Sequence, residues 1–75
     1  MDYRIAYKDQ NGKGMSKEYP WNYEVPIRNL ELAKEQAKHF SEIGYKDVEL
    51  FGVPEDFKDE LVPWSYVKEH RIPWK

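Results

Sequence analysis

The sequence predicts a small α+β domain with the order ββαβ, in which one amphipathic helix packs on a small, mostly antiparallel sheet. Side chains alternate over 3–8, apolar residues recur at helical spacing over 30–43, and alternation returns over 47–51. A chain of 75 residues can bury only one core, because the buried fraction of the surface falls with size. We therefore expect one domain over 1–75.

The first strand is predicted over 3–8, where alternate side chains face the core. The Asn11-Gly12 pair that follows is a strong hairpin signal, because both residue types tolerate the positive φ of a type I′ turn. The chain is therefore predicted to return antiparallel over 15–19. Pro20 and Pro26 bracket the next segment, which favours a strand end followed by a loop.

The helix is the element that the sequence specifies most fully. Asn29 is a favourable N-cap residue, and an apolar stripe follows it while charged residues fill the other faces. The stripe consists of Leu30, Ala33, Ala37, Phe40 and Ile43. Gly44 stands where a left-handed C′ residue is expected, and Tyr45 can fold back onto the last turn.

The C-terminal part of the chain is less regular. Alternation over 47–51 predicts a third strand that faces the helix. Pro54 and the acids after it fit a short helical turn or an acidic loop over 54–61. The tail over 62–75 is too apolar for a disordered end, and we expect Trp64 to about Glu69 to form a fourth strand or a docked extended arm.

Composition argues against several classes of function. The 14 acidic and 12 basic residues nearly balance, so no overall field favours nucleic acid. The absence of cysteine removes disulfides, thiolate catalysis and cysteine-ligated zinc, and it fits a reducing cytoplasm. No signal peptide and no apolar run of membrane-spanning length is visible. We expect a cytoplasmic protein without a membrane partner, for which nucleic acid is a poor candidate.

No catalytic or metal-binding constellation is visible. Glu35 and His39 could share a metal from one helix face, but two ligands are too few for a zinc site. No serine has the context of an activated nucleophile. Asp56 and Glu60 could act as paired carboxylates, yet they lie in an acidic run of the kind that is ordinarily solvated. We expect no cofactor, no metal and no enzymatic activity.

Two features indicate interaction surfaces. Three tryptophans are more than one small core readily hides, and Trp and Tyr dominate interface hot spots. The stretch 47–60 also carries six acids against one base, which either solvates a loop or steers a basic partner. The candidate partner-binding residues are four aromatic anchors and four acids: Trp21, Trp64, Tyr66, Trp74, Glu55, Asp56, Asp59 and Glu60.

The leading hypothesis is a non-enzymatic protein-interaction module with an aromatic surface and an acidic rim. The alternative is a binder of a nucleotide or other small anionic ligand, in which a homo-oligomer completes the pocket. Its candidate contacts are Lys13, Trp21, Tyr23 and Arg28. A third possibility is a homodimer formed by an unpaired sheet edge or by the tail.

Size, lysine and glutamate content, and the ββαβ order also resemble those of small proteins from bacteriophages and bacterial mobile elements. Some of those proteins inhibit host enzymes. The resemblance is compositional and includes no diagnostic motif. It implies an inhibitory or accessory role.

Overall fold

Four antiparallel strands and two helices make up the computed structural model, which describes residues 1–57 and 62–75. The elements are β1 (Asp2–Lys8), β2 (Asn22–Tyr23), α1 (Leu30–Glu42), β3 (Lys46–Val53), α2 (Trp64–Glu69) and β4 (Arg71–Ile72). The strands lie in the order β2-β1-β3-β4. The predicted fold class, one main helix on a mostly antiparallel sheet, is confirmed.

Both ends of α1 are built as the sequence predicts. The Asn29 side chain accepts a backbone N–H of the first turn at 3.1 Å. Gly44 adopts a φ of 98°, and the Tyr45 N–H donates to the Phe40 carbonyl oxygen at 3.0 Å. Ile43, predicted in the apolar stripe, is the C-cap and is 39% exposed, so the buried stripe ends one turn earlier.

The helix packs on one face of the sheet, which we call the helix face. Its buried residues are Ile5, Ala33, Ala37, Phe40, Val48 and Leu50. The Tyr7 ring stacks on Tyr45 at a centroid distance of 4.8 Å and packs against Phe40 at the same distance. Because full burial of an aliphatic or aromatic side chain contributes about 1.5–3 kcal/mol, this cluster holds β1 and β3 firmly against α1.

The opposite face, which we call the tail face, is also covered. Its buried residues are Ala6, Trp21, Phe51, Val53, Val62 and Val67, with Tyr19, Tyr23, Phe57, Trp64 and Tyr66 packed against them. Arg4 lies on this face at 5% exposure, donates to the Glu24 carbonyl oxygen at 3.0 Å and sits over the Tyr23 ring. The sheet is therefore sandwiched between α1 and the C-terminal segment, an arrangement that the sequence did not predict.

The predicted return strand over 15–19 is wrong. The Asp9 carboxylate accepts two backbone N–H groups at 2.8 and 2.9 Å, and among the turn residues only Gly12 has a positive φ, so the turn is not type I′. The Ser16 hydroxyl then accepts the Tyr19 N–H at 3.1 Å and makes a second local turn. Because these side-chain bonds fold the segment into local turns, the returning chain pairs with β1 only at β2.

The predicted strand or extended arm at Trp64–Glu69 is wrong as well, because these residues form α2 and the fourth strand is β4. The helix has no side-chain N-cap, and its aromatic and β-branched residues favour strands. Val67 is fully buried on the tail face three residues after Trp64, which is helical spacing. Burial therefore overrides local propensity here.

The segment before α2 begins with a turn, since the Phe57 N–H donates to the Pro54 carbonyl oxygen at 3.0 Å. The rest of the predicted turn or acidic loop over 54–61 lies outside the described residues. Within the described parts of the chain, no helix has the length and apolar character needed to cross a membrane.

Candidate functional site

An open cleft of about 400 Å³ lies where β1 ends and β3 begins. It is lined by Lys8, Pro20, Trp21, Asp47 and Trp64, and we call it the tryptophan cleft. The lining comes from three separate places: the facing ends of β1 and β3, the loop before β2, and the first residue of α2. Formation of the cleft therefore depends on the tail face being assembled.

Two indole rings in contact form the apolar part of the cleft. The ring centroids of Trp21 and Trp64 are 5.2 Å apart and the planes are tilted by 53°. Tyr19 packs edge-on against Trp21 at 5.9 Å. Trp21 is only 9% exposed, whereas Trp64 is partly buried. Trp64 is therefore the more accessible of the two rings.

The Tyr23 hydroxyl links the Trp21 indole to the backbone just before α2. It accepts a hydrogen bond from the Trp21 Nε1–H and donates one to the Val62 carbonyl oxygen, two residues before Trp64. Burial raises the pKa of Tyr23 above its ordinary value of 10.0, although the Trp21 hydrogen bond acts in the opposite direction. The hydroxyl thus keeps the proton that it donates to Val62 at neutral pH.

A charge pair forms the polar part of the cleft. The Lys8 Nζ lies 3.4 Å from the Asp47 Oδ2, and the two side chains are 33% and 60% exposed. This distance exceeds the roughly 2.7–2.9 Å of a strong charge-assisted bond, so the pair is weak. Asp47 has a φ of 52° at an irregularity in the β1–β3 register, the kind of bulge that redirects a side chain.

Tyr66 and Trp74 contribute to other surfaces. Tyr66 is partly buried on the tail face, edge-on to Phe51 at 6.3 Å and stacked on His70 at 3.9 Å. Trp74 packs against the helix-face cluster and lines a second cleft of about 250 Å³ that includes Arg71. Of the four predicted aromatic anchors, the structure brings only Trp21 and Trp64 together in one cleft.

Of the acidic stretch 47–60 that was predicted as a rim, Asp47 lines the tryptophan cleft, whereas Glu55 and Asp56 do not. Glu55 and Asp56 are exposed beyond the far end of β3, and about 20 Å of strand separates that end from Asp47. Glu55 is 3.2 Å from the Met1 amino group, and Glu49 is 2.8 Å from the Arg71 Nε. Cations therefore offset part of the acidic stretch. The predicted Asp59 and Glu60 lie outside the described residues.

The four contacts proposed for an anionic ligand are also spread out. The Arg28 Nε is 4.0 Å from the Asp2 Oδ1 at the start of β1, whereas the Lys13 backbone bonds to Asp9 just beyond its end. Only Trp21 and Tyr23 are in contact. Among the described residues, no group of three or more potential ligands is placed to hold a metal ion.

Comparisons with protein-family models, with curated proteins and with solved structures find no match for this chain. The candidate site is therefore identified from the geometry of this chain alone. Sequence reasoning did not assign Lys8 or Pro20 to a site, and it counted Asp47 only within the acidic stretch 47–60. Pro20 adjoins Trp21 in the sequence, which was the one available signal. Lys8 and Asp47 meet through strand register and a bulge, which side-chain periodicity does not encode.

Proposed function

We propose that the chain is a non-enzymatic protein-interaction module that binds its partner at the tryptophan cleft. The observation that carries this proposal is the pair of touching indoles, one of them partly exposed, that lines an open cleft of about 400 Å³. Tryptophan contributes strongly at interface hot spots because it buries a large apolar area while offering one polar N–H.

The cleft is organised before any partner arrives. Trp21 is held by the Tyr23 hydroxyl, and Trp64 starts a helix whose Val67 is fully buried. Side chains that are already fixed lose little conformational entropy on binding. A volume of about 400 Å³ is near the lower end of the roughly 300–1,000 Å³ typical of binding clefts. This size suits one segment of a partner.

The inhibitory role and the cytoplasmic location expected from the sequence belong to the same proposal. An inhibitory role follows if the partner is an enzyme whose activity falls when the cleft is occupied. The cysteine-free composition fits a reducing compartment, and we propose that the protein acts in the cytoplasm. Trp74, Tyr66, Glu55 and Asp56 would contribute only to a partner that extends well beyond the cleft.

The proposal is tested by partner capture followed by a defined titration. The tagged protein and its Trp64→Ala variant are used on bacterial lysate at low and raised salt, and bound proteins are identified by mass spectrometry. The captured partner is then purified and titrated calorimetrically. We expect Trp64→Ala to weaken this affinity at least about tenfold, as truncation of a hot-spot tryptophan does.

Trp74→Ala is the matched control, because Trp74 is also partly buried but lies in the second cleft. Its affinity for the partner should stay within about twofold of the original protein. Circular dichroism establishes that each variant is folded. Equal binding by a folded Trp64→Ala variant, or equal loss in both variants, contradicts the proposal.

A further inference from the structure

We infer that the tryptophan cleft binds an uncharged, proline-rich segment in the polyproline II conformation. This inference rests on the proposed function, since it names the class of partner segment for the same site. Three features of the cleft support it: its charge, its aromatic lining and the indole N–H of Trp64.

The charge of the cleft is the first argument. Among the residues that the structure describes, Lys8 and Asp47 are the charged ones lining the cleft, and they face each other at 3.4 Å, so their formal charges cancel. A cationic segment would be attracted by Asp47 but repelled by Lys8. An anionic segment would be attracted by Lys8 but repelled by Asp47. Electrostatic complementarity therefore favours a segment without net charge.

The lining is the second argument. Trp21, Trp64 and Pro20 are the other lining residues in the described parts of the chain, and they give flat apolar surfaces in an open cleft. Proline-rich segments characteristically dock into aromatic-lined grooves of this kind. The polyproline II helix is already extended and rigid, so it gives up little entropy when it lies on such a surface.

The indole N–H groups supply the third argument. The Trp21 Nε1–H is occupied, since it donates to the Tyr23 hydroxyl. The Trp64 Nε1–H has no acceptor within the part of the chain that the structure describes, and no buried side-chain nitrogen there is left unsatisfied. It is therefore a solvent-accessible donor beside an aromatic surface. Polyproline II segments have no internal hydrogen bonds, so their carbonyl oxygens are free to accept one.

The experiment is a titration of the full chain with synthetic peptides of equal length. One peptide contains about ten prolines, the second alternates glycine and serine, and two more carry arginine or glutamate at alternate proline positions. Tryptophan fluorescence reports affinity, and two-dimensional NMR reports the three indole N–H signals. We expect saturable binding of the polyproline peptide, no binding of the glycine-serine peptide, and a larger shift at Trp64 than at Trp74.

Two variants locate the site. Trp64→Ala should weaken polyproline binding at least about tenfold, whereas Trp74→Ala should change it less than about twofold. Trp64→Phe keeps an aromatic ring without the donor, and we expect it to weaken binding by about three- to tenfold. If Trp64→Ala does not fold, Trp64→Phe and the NMR shifts of the unmodified chain still decide the question.

The outcomes separate this inference from the proposed function. No polyproline binding, or tighter binding of the arginine or glutamate peptide, overturns the inference. If a captured partner still requires Trp64 in that case, the proposed function stands without it. If no peptide binds and no partner depends on Trp64, both fail.

Discussion

The two faces of the sheet are built in different ways. On the helix face, one continuous segment from α1 to β3 supplies five of the six buried residues, and most of them are aliphatic. On the tail face, a loop, three strands and α2 meet around a chain of aromatic contacts tied by the Tyr23 hydroxyl. The second face leaves open the cleft in which two indoles meet.

This difference shows how a small domain can combine a stable core with an open aromatic cleft. Side chains on the helix face interlock within regular elements and need few hydrogen bonds beyond the backbone. Tryptophan and tyrosine on the tail face bury large areas while their polar atoms bond to one another. We conclude that the helix face stabilises the fold, whereas the tail face also shapes the site.

The sharpest test of this division compares two adjacent, fully buried residues of β3. Leu50 faces α1 and Phe51 faces the tail. Leu50→Ala should lower the free energy of unfolding by about 2–5 kcal/mol and Phe51→Ala by about 3–5 kcal/mol, measured by urea denaturation. Only Phe51→Ala should also shift the Trp21 indole N–H signal.

If Phe51→Ala does not fold, Phe51→Leu is the milder substitute and should cost about 1 kcal/mol. An unchanged Trp21 signal in a folded Phe51 variant would contradict the division. The same would follow if Leu50→Ala displaced that signal by as much.

The same division explains which parts of the fold the sequence could predict. The helical spacing of Ala33, Ala37 and Phe40 and the caps at Asn29 and Gly44 act locally, so α1 was predicted correctly. The segment after Pro63 has strand-like composition and no side-chain cap, so its helix became visible only through the burial of Val67 against the sheet. Local signals cannot reveal a helix that tertiary contacts stabilise.

The candidate site was predictable to a smaller extent. Trp21 and Trp64 were singled out as anchors because tryptophan is common in hot spots, and the structure does place them in contact. Their separation from Trp74 and Glu55 follows from the sheet order and from the faces that side chains occupy. A one-residue bulge at Asp47 changes which face of the sheet the side chains beside it occupy, and the sequence carries no signal for this bulge.

Gly14 provides the next test, because it lies against the backbone of Pro20 and Trp21 at the tail face. A Cβ at this position would be 1.9 Å from the Trp21 backbone nitrogen. We expect Gly14→Ala to cost about 1–3 kcal/mol and to move Trp21, with a shifted indole signal. Gly12→Ala is the control: it has open space at a φ of 78°, and should cost about 1–2 kcal/mol with the Trp21 signal unchanged. Equal indole spectra of both variants would argue against the close approach.

Two tyrosines, Tyr7 on the helix face and Tyr23 on the tail face, allow a comparison with smaller expected changes in the free energy of unfolding. Burial raises the pKa of both Tyr7 and Tyr23 above 10.0. A raised pKa in the folded state contributes stability that is present below about pH 10 and is lost as the pH rises through the folded pKa. Each Tyr→Phe change should therefore reduce the fall in stability between about pH 9 and pH 11, followed by urea denaturation.

At neutral pH the two variants should differ. Tyr23→Phe removes the hydrogen bonds to Trp21 and Val62 and should cost about 1–2 kcal/mol. Tyr7→Phe should cost less than about 0.5 kcal/mol, because the Tyr7 ring packs against Phe40 and Tyr45 while its hydroxyl forms no hydrogen bond to another described residue. Equal costs would mean that the hydroxyl network does not hold the tail face together.

The smallest effects are expected from the ion pairs at the sheet surface. Glu49→Gln breaks a 2.8 Å contact to Arg71 and should cost about 0.5–1 kcal/mol at low salt. Asp47→Asn breaks the longer contact to Lys8 and should cost less than about 0.5 kcal/mol, since asparagine also tolerates a positive φ. Both losses should shrink in raised salt, and a loss above 2 kcal/mol in either variant would point to an additional role.

The central position of β1 also has a consequence for biosynthesis. Ile5 pairs with Leu50, so the main partner of β1 leaves the ribosome long after β1 itself, on the order of seconds at roughly 5–20 residues per second. During this interval the edge of β1 that pairs with β3 is open, and an unpaired strand edge is a template for aggregation. The α1–β3 unit, by contrast, is contiguous in the chain and can form as soon as it emerges. Nascent β1 therefore pairs with an α1–β3 unit that is already folded. Chaperones that bind extended chains have their best opportunity before Val53, the last residue of β3, is added.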